Sequence, residues 1–241
     1  MKRGAFELGG SDPFIVCDDA DLELASSKAI KGRLTCNGQA CNNAKRFIIH
    51  DKIYDEFVGM LIHKVKEYVS IGDPMNKSVT IGPLSMQKQV ETLTRQVQHS
   101  INKGARVLYG DLNYRIHDAE LKNGFYFNPM IMENITKDQA AYCEELFGPV
   151  FSIFSYSDHL EAVELANATC YGLSASVFTR DPERARRKAL QLDVGNVFVN
   201  DFVSSDSAIP GGGVKDSGYG RECYKDGIHE TINRKAIVFG N

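Results

Sequence analysis

No apolar run in this chain approaches the roughly 20 residues needed to span a bilayer. Met1-Lys2-Arg3 leads into Gly4-Ala5-Phe6-Glu7, not into the apolar stretch of a secretion signal. A membrane protein is thereby excluded as an expectation, and a cytoplasmic one is predicted. Long blocks of one charge sign are missing too. The 28 basic and 31 acidic side chains give a formal charge of -3, so neither nucleic acid nor an anionic membrane surface is an expected partner. The cysteines (Cys17, Cys36, Cys41, Cys143, Cys170, Cys223) are scattered, without Cys-x-x-Cys or His-x-x-His spacing. That predicts no metal site and no disulfide framework, and makes most of them core thiols. Repeats, low-complexity tracts and linkers are also lacking, so one compact domain over 1–241 is predicted.

What is present is a chain of 241 residues, 43% hydrophobic, long enough to bury a substantial core. Short β-branched or aromatic runs alternate with longer amphipathic stretches, which predicts an α/β fold with a mostly parallel sheet flanked by helices. The strands read as Pro13 to Cys17, Arg46 to His50, Val150 to Tyr156, Leu173 to Phe178 and Val194 to Val199. One helix starts at the acidic Asp19 to Glu23 stretch and fades near Gly32. A second carries Tyr54, Phe57, Val58, Leu61, Val65 and Tyr68 at helical spacing, and further helices are expected at Leu160 to Ala168 and Asp181 to Leu192. The last has Asp181 as N-cap and Pro182 at its first position, with Arg184, Arg186, Arg187 and Lys188 read as a solvated face. Gln87 to Lys103 reads as a polar surface helix.

The chemically informative stretch is Asn37-Gly38-Gln39-Ala40-Cys41-Asn42-Asn43-Ala44-Lys45-Arg46, where a small-residue turn presents a cysteine just before an apolar strand. A thiolate there would be favoured by turn or helix N-terminal amides and by Lys45 and Arg46. Composition and spacing alone favour a small core cysteine over a nucleophile.

Context separates the two. Phe6-Glu7-Leu8-Gly9-Gly10-Ser11-Asp12-Pro13 resembles the Glu-Leu-Gly-Gly motif of the aldehyde dehydrogenase superfamily, and Gly38-Gln39-Ala40-Cys41 resembles its Gly-Gln-x-Cys motif. Glu7 and Cys41 stand 34 residues apart, as in that family. Two further signatures follow in order: Glu144-Glu145-Leu146-Phe147-Gly148-Pro149-Val150, and Pro210-Gly211-Gly212-Gly213-Val214-Lys215-Asp216-Ser217-Gly218-Tyr219-Gly220-Arg221-Glu222. The resemblance runs from Glu7 to about Val238 and implies the catalytic domain of such an enzyme, with NAD or NADP as cofactor and a small aldehyde as substrate.

Carried over residue by residue, the resemblance makes Cys41 the nucleophile and Glu7 the general base of deacylation. It makes Glu145 the carboxylate on the nicotinamide-side ribose and Phe147 the ring beside the nicotinamide. Asn200 matches an asparagine close to the active site, and Ser205, in the Ser204-Ser205-Asp206-Ser207 loop, is expected at the aldehyde entrance. The Gly32-Arg33 pair and the Ala44-Lys45-Arg46-Phe47-Ile48-Ile49 run look most like the succinate-semialdehyde dehydrogenase group, so Arg33 is expected to meet a substrate carboxylate.

Two departures stand out. Pro210-Gly211-Gly212-Gly213 replaces the family's usual Pro-Phe-Gly-Gly, removing an aromatic contact. Only Met1 to Phe6 precede the first motif, so the chain is expected to lack the nucleotide-binding domain and an oxyanion-hole asparagine, to have little activity alone, and to self-associate as a homo-oligomer through exposed apolar surface that includes 229–241. Competing readings are a cysteine thioesterase, which needs a histidine poised on Cys41, and a non-catalytic domain acting through self-association, its strand Lys235 to Phe239 pairing with a neighbour.

Overall fold

The computed structural model describes residues 4–240; Met1 to Arg3, part of the leader reading, and Asn241 lie outside the described residues. In chain order the elements are β1 (Phe6–Glu7), β2 (Asp12–Val16), α1 (Leu22–Leu34), β3 (Ala44–His50), α2 (Tyr54–Tyr68), α3 (Gln87–Asn102), β4 (Arg106–Tyr109), β5 (Met130–Glu133) and α4 (Ala140–Cys143). They continue with β6 (Val150–Tyr156), α5 (His159–Asn167), β7 (Tyr171–Gly172), β8 (Ser174–Phe178), α6 (Pro182–Gln191), β9 (Asn196–Val199), β10 (Val214–Lys215), β11 (Gly218–Tyr219) and α7 (Tyr224–Thr231).

The central sheet has the order β4-β5-β6-β3-β2-β8-β9. Every pairing in it is parallel except β4 with β5, so the antiparallel strand sits at an edge. β2 and β3 are buried along their whole length because helices cover both faces, which is why they read as continuous apolar runs. Successive side chains go to opposite faces. Phe14, Val16, Phe47 and Ile49 meet α1 and α2 through Ala25, Ala29, Phe57 and Leu61, while Ile15 and Ile48 meet Ala162, Ala166 and Leu192 on the other side. A row of rings crosses four strands: Phe178 to Phe14 at 4.5 Å between centroids, then Phe14 to Phe47 and Phe47 to Phe151, both at 5.1 Å. Each fully buried ring contributes about 1.5–3 kcal/mol.

The helix starts follow their local chemistry. Asp21 caps α1 through Leu24 N at 3.0 Å, and Asp181 caps α6 through the Glu183 and Arg184 amides with Pro182 behind it. The α6 face is not uniformly solvated, however. Lys188 is buried with its ammonium 5.4 Å from the Tyr156 ring centre, and Arg184 pairs with Asp18 at 2.5 Å. The helix packs on β8 with Ala185 and Lys188 turned inward.

Within the central sheet, two strands escape the sequence reading. β4 and β5 are four residues each, and Met130-Ile131-Met132-Glu133 carries little β-branching, so its strand state comes from pairing with β6. The expected strand Lys235 to Phe239 does not form within the chain; Ile237, Val238 and Phe239 are 73–90% exposed, since a strand without a ladder partner has no reason to hold. Among the described residues no helix is long and apolar enough to cross a membrane.

Candidate active site

The parallel strands all point their amino ends at one place. The segments entering β2 (Glu7, Leu8, Gly9), β3 (Gln39 to Asn42), β6 (Glu145, Phe147) and β8 (Leu173), with Asn196 at the start of β9, line a cavity of about 610 Å³ closed by Val203 to Asp206 and Ile209 to Gly212. Ligands of open parallel sheets usually lie at the carboxyl ends. This cavity lies at the opposite edge, which is why the cysteine precedes its strand.

That edge has an electrostatic consequence. The helix that leads to Cys41, α1, arrives by its carboxyl end, so the partial charge it brings is negative. Burial pushes the Cys41 thiol above its ordinary 9.0, with Glu7 and Asp12 adding to the rise; Lys45 and the Asn42 amide oppose it. The expected turn amide and Lys45 do favour the thiolate, but the helix end that arrives is the carboxyl one and burial outweighs them in the resting protein. Arg46 contributes nothing there, because its guanidinium is spent on Ser11 O, Leu165 O and Ala166 O.

The turn itself depends on two glycines. Gly38 has φ of +76°, and a Cβ there would come 2.4 Å from Gly148 O; a Cβ at Gly10 would come 2.4 Å from Cys41 O. Backbone thus passes against backbone where the first, second and third motifs meet. The fourth motif joins through β1, which pairs antiparallel with β11 and sets Phe6 opposite Tyr219 and Glu7 opposite Gly218.

Glu7 stands in the cavity wall with its carboxyl raised above 4.5 by partial burial and by the nearby Glu222, against Gly213 N–H and Arg221. Glu145 accepts from Gly10 N–H at 3.0 Å through Oε1, and the same oxygen lies 3.4 Å from Lys45 Nζ. Its Oε2 lies against Gly9, where a Cβ would come within 2.7 Å. Phe147 and Ser205 line the cavity as expected.

Two expected site residues are placed elsewhere. Arg33 is 0% exposed and donates to Ala44 O at 3.2 Å, Leu146 O at 2.6 Å and Gly148 O, so it braces the Glu145 loop against β3 and does not line the cavity. Its guanidinium, lowered to about 9 by burial, remains charged at neutral pH. Asn200, at φ of +56°, exchanges hydrogen bonds at 3.0 Å with the Thr179 backbone and caps the end of β9 outside the cavity. Conversely, Glu222, Asn196 and Asp12 carried no expected role, and Lys45 was expected only to favour the thiolate, not to hold the turn and Glu145. Glu222 and Asp12 lie inside the motifs quoted above, and the signal available for Lys45 was a lysine in an otherwise apolar strand.

Among the described residues no group of three or more His, Cys, Asp or Glu side chains could hold a metal ion. No histidine lines the cavity among those residues.

Comparison with known proteins agrees with this geometry. The aldehyde dehydrogenase family profile matches residues 1–237. The chain is 44% identical over 237 residues to the NADP(+) succinate-semialdehyde dehydrogenase of Deinococcus radiodurans, covering 98% of this chain and 48% of that protein. It is 40% identical over 237 residues to the NAD(P)+ succinate semialdehyde dehydrogenase Sad of Escherichia coli, covering 98% and 50%. The crystal structure of the Streptococcus pyogenes succinic semialdehyde dehydrogenase with NADP+ superposes with a TM-score of 0.92 at 36% identity, over 98% of this chain and 50% of that one. The chain thus spans about half the length of the curated relatives it matches. On the sheet, the motifs that meet at its amino edge and these matches, the chain belongs to the aldehyde dehydrogenase family.

Proposed function

We propose that this chain forms the catalytic part of an NAD(P)-dependent enzyme that oxidises an aldehyde to its carboxylic acid, with Cys41 as nucleophile and Glu7 as general base. The observation that carries the reading is that Cys41, Glu7, Glu145 and Phe147, drawn from three separated motifs, line one cavity.

Each residue has a task its chemistry suits. The Cys41 thiolate adds to the aldehyde carbon, and the Cys41 N–H, which has no hydrogen-bond partner among the described residues, is free to meet the oxyanion. Bound NAD(P) supplies the acceptor for the hydride lost from that carbon. Glu7, held partly protonated-prone by burial and Glu222, takes a proton from water as the water attacks the Cys41 thioester, releasing acid and thiolate. Glu145 and Phe147 fit the nicotinamide ribose: Oε1 is engaged by Gly10, Gly9 leaves room at Oε2 for a diol hydroxyl, and an aromatic ring stands in the same wall.

Succinate semialdehyde is the proposed substrate, supported by the names of the relatives. With Arg33 buried, its carboxylate would be met by the hydroxyl donors Ser204 and Ser205 and by Asn196. We also propose self-association, supported by exposed Phe6, Tyr219, Ile228, Val238 and Phe239. The test is absorbance at 340 nm with succinate semialdehyde and NAD+ or NADP+, beside Cys41→Ala. Little reduction is expected of the chain alone, whatever there is should depend on Cys41, and reduction that survives the substitution contradicts the assignment.

A further inference from the structure

Among the described residues, the Lys45 ammonium is the one cation buried beneath the nucleophile turn whose partners belong to that turn. It is 1% exposed, and its Nζ donates to Cys41 O at 2.8 Å, Ala40 O at 3.1 Å and Asn43 O at 3.2 Å. An ammonium has three N–H donors and no acceptor, so these carbonyls use all of them. The fourth neighbour is a counter-charge, Glu145 Oε1 at 3.4 Å. Lys45 therefore touches the backbone of Cys41 and not its sulfur.

We propose that Lys45 is a positioning residue: its ammonium gathers the carbonyls of the Ala40–Asn43 turn and holds the Glu145 carboxylate beside them, fixing nucleophile and cofactor carboxylate relative to each other while supplying the positive charge that α1 does not. The inference rests on the proposed roles of Cys41 and Glu145. Without that charge the turn would carry converging carbonyls behind the thiol, the carboxyl end of α1, and the negative groups Glu7 and Asp12. Around Lys45 itself stand Arg33 from α1, Asp12 from β2 and Glu145 from the loop before β6. Burial and Arg33 lower its pKa to about 8, against the opposing pull of Asp12, Glu145 and Cys41. A planar guanidinium does not match oxygens converging on a point, so charge alone is not sufficient at this position.

The test is the pH dependence of Cys41 alkylation by iodoacetamide, read by site-resolved mass spectrometry in the unsubstituted chain, Lys45→Met and Glu145→Gln, with circular dichroism confirming the fold of each. Lys45→Met is expected to move the Cys41 midpoint upward by about one unit, a tenfold loss of thiolate at a given pH. Glu145→Gln is expected to move it downward, because Lys45 then acts on the sulfur with less compensation. General loosening of the turn does not produce opposite shifts. A midpoint unmoved in folded Lys45→Met, or shifts of the same sign in both, overturns the proposal. Should Lys45→Met not fold, a midpoint that stays or rises in Glu145→Gln overturns it. The assay uses neither aldehyde nor dinucleotide, so its failure is separable from failure of the proposed oxidation.

Discussion

Gly10 and Glu145, 135 residues apart in sequence, are joined by a hydrogen bond of 3.0 Å from the Gly10 amide to Glu145 Oε1. The same glycine lies so close to Cys41 that an added Cβ would fall 2.4 Å from its carbonyl oxygen. Gly10→Ala must therefore displace backbone on the nucleophile side. We expect a loss of about 1–3 kcal/mol in urea denaturation, together with altered Cys41 alkylation; unchanged stability would mean that the turn yields freely.

Arg33 supports the site from outside it. Arg33→Met removes the guanidinium that ties Ala44 O to Leu146 O and Gly148 O, which keep only the Gly148 and Val150 amides, a loss on the order of 3 kcal/mol. Because the guanidinium does not reach the cavity, the milder Arg33→Lys should lower turnover of succinate semialdehyde and of an uncharged aldehyde by the same factor. A selective rise in KM for the carboxylated aldehyde would restore Arg33 as a substrate contact.

The raised pKa values of Cys41 and Glu7 bound the working range from both sides. The thiolate forms as pH rises through a value above 9.0 in the resting chain, so alkylation at neutral pH should be slow and increase steadily through pH 9. Glu7 is a competent base only when ionised, and its carboxyl is raised above 4.5, so deacylation should fail as pH drops through a value higher than that. Stopped-flow deacylation against pH checks the acid limb, and Glu222→Gln should move it downward by removing the neighbouring charge.

Much of this was legible because periodicity and motif order survive folding unchanged. The apolar runs that became β2, β3, β6 and β8 are continuous for a physical reason, burial on both faces, and Asp181-Pro182 announces its helix by capping chemistry. Cys41, Glu7, Glu145, Phe147 and Ser205 were found through motifs and do line one cavity. What sequence could not supply was direction. Whether Arg33 faces a ligand or a set of carbonyls depends on where the loop before β6 lies, more than a hundred residues away, and the same holds for Lys45 and Glu145. The helix end beside Cys41 was misjudged likewise, since its sign follows from which edge of the sheet carries the site.

The most direct test of the account follows the acyl group. With p-nitrophenyl acetate, which acylates a nucleophile without hydride transfer, site-resolved mass spectrometry of the intact chain and Glu7→Gln reads both proposed roles at once. The account predicts an acetyl group on Cys41 that turns over in the unsubstituted protein and accumulates in Glu7→Gln, with deacylation slowed by about 10²-fold or more. Acetyl on another residue, or equal turnover in the two proteins, would contradict it.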